Sequence, residues 1–106
     1  MTSTLARVQD LIAQDDVKFS EHAYNEMRKD SLTDVDVLSG VSKAELVEDY
    51  PTYAKGPCSL VLQHDTCGQP IHALWGLRRG THRPAVLITV YRPDPAQWTP
   101  DFKVRR

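Results

Sequence analysis

The sequence predicts an α+β domain in which N-terminal helices pack on a four-stranded antiparallel sheet. Up to Gly40, apolar residues recur at helical spacing behind good capping residues. After Gly40 the pattern changes to four short apolar runs divided by turn residues, as in a β-meander. With 106 residues, the chain encloses one hydrophobic core and not two, so residues 1–106 are expected to form one domain.

The first helix is expected at residues 4 to 14, where Leu5, Val8, Leu11 and Ile12 share a face behind Ser3 or Thr4 as cap. A link from Asp15 to Phe19 leads to Ser20, a second N-cap, with Phe19 and Tyr24 placed to close a hydrophobic staple. The second helix then starts at Glu21 and turns Ala23, Tyr24 and Met27 inward. Thr33 caps a third helix of about two turns, with Asp36 in the capping-box position and Leu32 and Val37 as staple. Val35 and Leu38 are its expected buried residues, and Gly40 suits a left-handed residue at its end.

The apolar runs are Ala44 to Asp49, Cys58 to Gln63, Gln69 to Leu77 and Ala85 to Arg92, and the gaps between them suit hairpins. In the third run Ile71, Ala73, Trp75 and Leu77 alternate with His72, Leu74 and Gly76. In the fourth, Val86, Ile88 and Val90 are expected to oppose Leu87, Thr89 and Tyr91. Both runs are apolar on both faces, which predicts central strands. Pro93 and Pro95 end the last strand, and the segment beyond is expected to pin Trp98 against the body.

Hydrophobic residues at 41% and charged residues at 25% match ordinary globular usage and exclude a disordered or collagen-like chain. No apolar run approaches the roughly 20 residues of a membrane helix, and the N-terminus lacks a signal layout, so a cytoplasmic location without a membrane partner is expected. Cys58 and Cys67 flank a turn and are read as reduced thiols. Walker, dinucleotide, nucleophile-elbow and zincin motifs are all missing, which excludes those chemistries, and no cofactor is expected.

The net charge of −1 is unevenly spread. Residues 1 to 70 carry −6, and residues 71 to 106 carry +5. Arg78, Arg79, Arg83, Arg92, Lys103, Arg105 and Arg106 would attract phosphate if the fold gathered them, or would pair with the acidic helices if it did not.

His22 lies in the first turn of the second helix, where the helix dipole favours a neutral imidazole able to act as a base. A lone helical histidine is, however, most often a surface or packing residue. His72 sits mid-strand, where a histidine is more often a hydrogen-bonded core residue. With Thr89 and Tyr91 on the neighbouring strand it would form a polar patch needing a partner or a purpose. Adding Arg28 and Arg92 assembles a base, a phenol donor and guanidinium groups, the ingredients of metal-free RNA cleavage. Cys58, His64, Cys67 and His72 have zinc-ligand chemistry but not zinc-knuckle spacing, and no metal site is expected.

Three stretches carry a family likeness: Phe19-Ser20-Glu21-His22-Ala23 with Met27-Arg28, then Pro70-Ile71-His72, then Ile88-Thr89-Val90-Tyr91-Arg92-Pro93-Asp94 running on to Trp98. In these the chain resembles the small bacterial domain of unknown function 4258 (DUF4258), a branch of the RelE/ParE-like toxin superfamily. The resemblance covers about residues 18 to 106. It implies a RelE-like fold and marks His22, Arg28, His72, Thr89 and Tyr91 as positions to watch. Residues 1 to 17 then form a helical extension that serves oligomerisation or antitoxin binding. The leading expectation is a toxin-family protein acting as a metal-independent endoribonuclease, with His22 or His72 as acid or base, Arg28 and Arg92 on phosphate and Tyr91 as donor or stacking platform. RNA binding would fall to Arg78, Arg79, Arg83, Arg92, Arg105 and Arg106. Toxins that cut RNA are usually strongly basic, whereas this chain is slightly acidic. The alternative is a non-catalytic binding module of the same fold that engages a protein or nucleic acid through its basic C-terminal surface.

Overall fold

The structure is a computed structural model and describes residues 3–106. Helices α1 (Thr4–Ala13), α2 (Glu21–Lys29) and α3 (Asp34–Ser39) cover one face of a sheet formed by β1 (Val17–Phe19), β2 (Glu45–Tyr50), β3 (Cys58–His64), β4 (Pro70–Leu77) and β5 (Ala85–Tyr91). The strand order is β1-β5-β4-β3-β2. Strands β2 to β5 are the expected antiparallel meander. The sheet as a whole corrects the four-stranded antiparallel expectation, because β1 joins it as a fifth strand parallel to β5, Val17 opposite Ala85 and Phe19 opposite Leu87. Three residues are too few to show a strand period, so this segment reads as a link.

The helix caps form as the sequence implies. The Ser20 hydroxyl oxygen accepts the Ala23 N–H at 3.0 Å, and the hydroxyl donates to the Ile88 carbonyl at 2.8 Å, which ties the start of α2 to β5. The Phe19 and Tyr24 rings meet at 5.5 Å, closing the staple, although Tyr24 stays 48% exposed instead of turning inward. Thr33 and Asp36 form the full capping box. In α3 the buried residue is Val37, while Val35 is 59% exposed and Leu38 half-buried at the core margin. In this short helix position 37 is the one turned squarely to the sheet, where the Gln63 side chain also bonds its carbonyl. Gly40 has φ −92°, so it is not left-handed. Its role is close approach: a Cβ there would stand 2.4 Å from the His64 carbonyl oxygen.

The core lies between the helices and one sheet face, where Val61, Ile71, Ala73, Trp75, Leu77, Ala85, Leu87 and Val90 meet Val8, Leu11, Ala23, Met27 and Val37. Helix α1 is therefore part of the core of this chain, and its apolar face is already occupied by β3, β4 and β5. Buried Gln63 spans this interior. Its Nε2 donates to the Val37 carbonyl, and its Oε1 accepts the Trp75 indole N–H, both at 2.7 Å.

The β4–β5 register slips between Leu74 and Trp75, which pair with Thr89 and Leu87 and leave Ile88 unmatched. This bulge corrects the alternation expected for the last strand. Leu87 and Val90 are fully buried on the helix side, while Val86, Thr89 and Tyr91 pair with Gly76, Leu74 and His72 on the far face.

Candidate functional site

The far sheet face is divided in two. Over one half lies the C-terminal segment, residues 93–106, which folds back as a small hairpin with Trp98 bridged to Arg105 and the Thr99 N–H donating to the Val104 carbonyl. Trp98 is buried beneath it, as the sequence implies. His72 is 0% exposed and held on three sides. Its Nε2 lies 2.7 Å from the Phe102 carbonyl oxygen and its Nδ1 3.2 Å from the Tyr91 hydroxyl. The Trp98 ring stands perpendicular to the imidazole at 4.4 Å.

A carbonyl only accepts, so Nε2 carries the proton, and in the neutral ring Nδ1 accepts from the Tyr91 hydroxyl. Both ring nitrogens are thereby occupied within the fold. Burial, aided by the Arg105 charge, holds the His72 pKa below its ordinary 6.5 against the opposing pull of the Phe102 carbonyl and Glu48. Burial likewise pushes the Tyr91 phenol up. The segment is fastened at its rim by Arg105, which pairs with Glu48 at 3.0 Å and lies 4.6 Å over the Trp98 ring, and by Lys103 on Glu45. Arg105 first, then the Tyr50 hydroxyl, hold the Glu48 carboxyl below its usual range.

The candidate catalytic residues do not share a cleft. His22 and Arg28 are exposed on α2, whose Ala23 and Met27 face the core, and Arg28 bonds Asn25 at 3.2 Å. His72 and Tyr91 project from the opposite sheet face, so the sheet stands between the two pairs. Thr89 shares the far face beside Leu74.

The basic C-terminal surface is largely neutralised from within. Arg83 pairs with Asp16 and Arg92 with Asp65, each at 2.8 Å; Arg105 pairs with Glu48; Arg106 donates to the Pro95 and Trp98 carbonyls. For Asp65, burial raises the pKa but is outweighed by hydrogen bonds from Arg92, Gln69 and Cys67, so the carboxyl stays below its usual value. Of the six candidate arginines, Arg78, Arg79 and Arg106 are exposed without a carboxylate partner among the described residues; Arg106 is held by its two carbonyls, and Arg79 Nη1 donates to the Ala54 carbonyl at 3.4 Å. Cys58, His64, Cys67 and His72 do not gather; among the described residues no metal-binding group of this kind forms. Both cysteines are free thiols.

The other half of the far face is uncovered. There two adjoining hollows of about 270 and 250 Å³ share Tyr53 and Ile88 and are lined further by Tyr50, Cys58, Leu74, Gly76 and Val86. Lys55 and Arg78 stand at the edge. Sequence reading missed this trough, though two signals were present. The loops after β2 and β4 of a meander emerge at the same end, and a glycine within a strand marks close approach or vacant space. Gly76 supplies the space, since a Cβ there would sit 2.8 Å from the Ile88 side chain. Gly56, at φ +126°, lies against the Leu77 carbonyl and brings Lys55 beside Arg79, whose N–H donates to the Lys55 carbonyl at 3.1 Å. Burial, then the Asp49 charge, push the Cys58 thiol up, so the trough floor offers a protonated thiol and not a nucleophile.

Among the described residues no helix is long and apolar enough to cross a membrane. No curated protein and no solved structure matches the chain. A family model described as "Domain of unknown function (DUF4258)" matches residues 19–92, leaving α1 and the C-terminal segment outside it. Because that match takes in most of the chain, from the entry to α2 through the end of β5, the chain belongs to the DUF4258 family.

Proposed function

We propose that this protein is a non-catalytic binding module, RelE-like in architecture, that engages an anionic macromolecule through its exposed sheet face and does not cut it. The observation that carries this reading is the separation of the candidate acid–base groups. Metal-free RNA cleavage needs a base, an acid and a phosphate-binding cation around one phosphodiester. Here His22 and Arg28 lie on the helix side, and His72 is neutral, buried and bonded at both ring nitrogens. The relation to RelE/ParE-like toxins is supported by helices packed on one face of a four-strand meander, with the parallel β1 as an addition. A protein of that descent that has kept the fold without a converged site acts by occupancy.

Inducible expression of the wild type and of His22→Ala separates this from the endoribonuclease reading. The expected result is intact cellular RNA in both cultures. Growth arrest with RNA loss in the wild type alone would establish the nuclease and overturn the proposal.

A further inference from the structure

We infer that the trough on the uncovered half of the sheet is a binding site for single-stranded nucleic acid, with Tyr53 and Tyr50 stacking bases and Lys55, Arg78 and Arg79 holding phosphates. This inference rests on the binding-module reading and assigns its ligand and its site. Tyr53 is 54% and Tyr50 41% exposed, yet both border an apolar hollow, so each presents a ring to solvent beside a floor of Leu74, Val86 and Ile88. An aromatic ring beside an apolar floor accepts the face of any base, whatever its sequence. The hollows, about 270 and 250 Å³, lie just under the usual small-molecule range, the scale of one flat ring each and not of a packed helix.

Charge complementarity selects the ligand. The loop holding Lys55 and the loop holding Arg78 and Arg79 are tied backbone to backbone, so Lys55 and Arg78 border one end of the trough with Arg79 next along the chain, its Nη1 on the Ala54 carbonyl. None of the three has a carboxylate partner among the described residues. The remaining C-terminal arginines are bonded within the fold, which localises the attraction to this corner. At the opposite end Glu48 is neutralised by Arg105, and Asp49, which accepts from the Ser59 hydroxyl, is the carboxylate whose charge reaches the floor, so the attraction for phosphate lies at the Lys55 and Arg78 end. Paired bases cannot turn their faces to the tyrosines, so a duplex loses the stacking contribution.

The test is fluorescence anisotropy of the full chain with a labelled mixed-sequence RNA of about eight nucleotides, within the range that small single-strand-binding domains of other folds cover. The same sequence as DNA, its duplex and a poly-glutamate peptide serve as competitors. Binding of either single strand supports the inference if Tyr53→Ala and Arg78→Ala each weaken it by at least about fivefold. The RNA and DNA arms then show whether the 2′-hydroxyl contributes. Three phosphate contacts predict a log–log salt slope of about −2. Lys29→Ala, on the helix layer, should leave affinity unchanged. Both trough side chains are exposed, so their removal spares the core. Binding that ignores both trough variants overturns the site while leaving the module reading intact. Competition by poly-glutamate as effective as by the single strands overturns the ligand class, and failure of both single strands to bind at low salt overturns the inference altogether.

Discussion

Replacing Gln63 with alanine is expected to cost about 3–4 kcal/mol of folding free energy, which in a domain of this size lowers Tm by about 12–20 °C. The magnitude follows from what the side chain joins. Its amide satisfies the Trp75 indole N–H and the Val37 carbonyl, both in fully buried residues, and so links β3, β4 and α3. Truncation leaves a donor and an acceptor without partners and opens a cavity between them. Gln63→Met separates the two contributions, because it fills the space but restores neither bond; about 2 kcal/mol of the loss should remain. Thermal or urea unfolding of the three proteins measures this directly. An alanine variant within about 0.5 kcal/mol of wild type would contradict the arrangement described.

His72→Ala is expected to cost about 2–4 kcal/mol and, unlike the Gln63 change, to act first on the C-terminal segment. It removes the bond that anchors Phe102, a residue at φ +60°, together with the ring contact to Trp98. Amides of residues 99–106 should lose hydrogen-exchange protection before those of β3 and β4. The pH dependence has a definite sign. His72 has a folded pKa below its ordinary 6.5, so between those values the unfolded chain binds the additional proton. The stabilisation is therefore complete above about pH 6.5 and declines as pH falls through the folded value. Arg105 and Glu48 are the charges that face the ring, and they oppose each other. Subtracting the stability curve of His72→Phe from that of wild type isolates the effect. A difference that grows in favour of wild type between pH 7 and 5 would mean that the histidine is charged in the folded protein.

Much of the fold was legible because its signals are local. Ser20 and Thr33 cap where their side-chain chemistry requires, Phe19 meets Tyr24, and the four meander strands stand between turn residues. Features that depend on register were not legible. The bulge at Ile88 shifts the far-face positions of β5, and nothing in an unbroken apolar run marks where such a slip falls. The parallel β1 depends on a partner strand almost 70 residues away. Gln63 looked like the polar end of a strand, since its value lies in two bonds to residues distant in sequence.

The site divides along the same line. The partnership of His72 with Tyr91 was readable from strand neighbours, and it exists. Convergence with His22 needed the third dimension: helix α2 lies on one side of the sheet, and the histidine ring points to the other. The excess of C-terminal arginines was visible as a count, but the Asp16, Asp65 and Glu48 partners that consume three of them were not. Lys55, Arg78 and Arg79 remain available, brought together by two loops whose common end the meander dictates.

The most direct measurement of whether this protein holds RNA or cuts it is a single-turnover assay, in which purified chain in molar excess is mixed with an end-labelled single-stranded RNA and sampled over hours on a denaturing gel. The account predicts full-length RNA at every time point. Fragments that accumulate with wild type and disappear with His22→Ala would contradict it, because the side chain on the helix layer would then have reached the scissile phosphate.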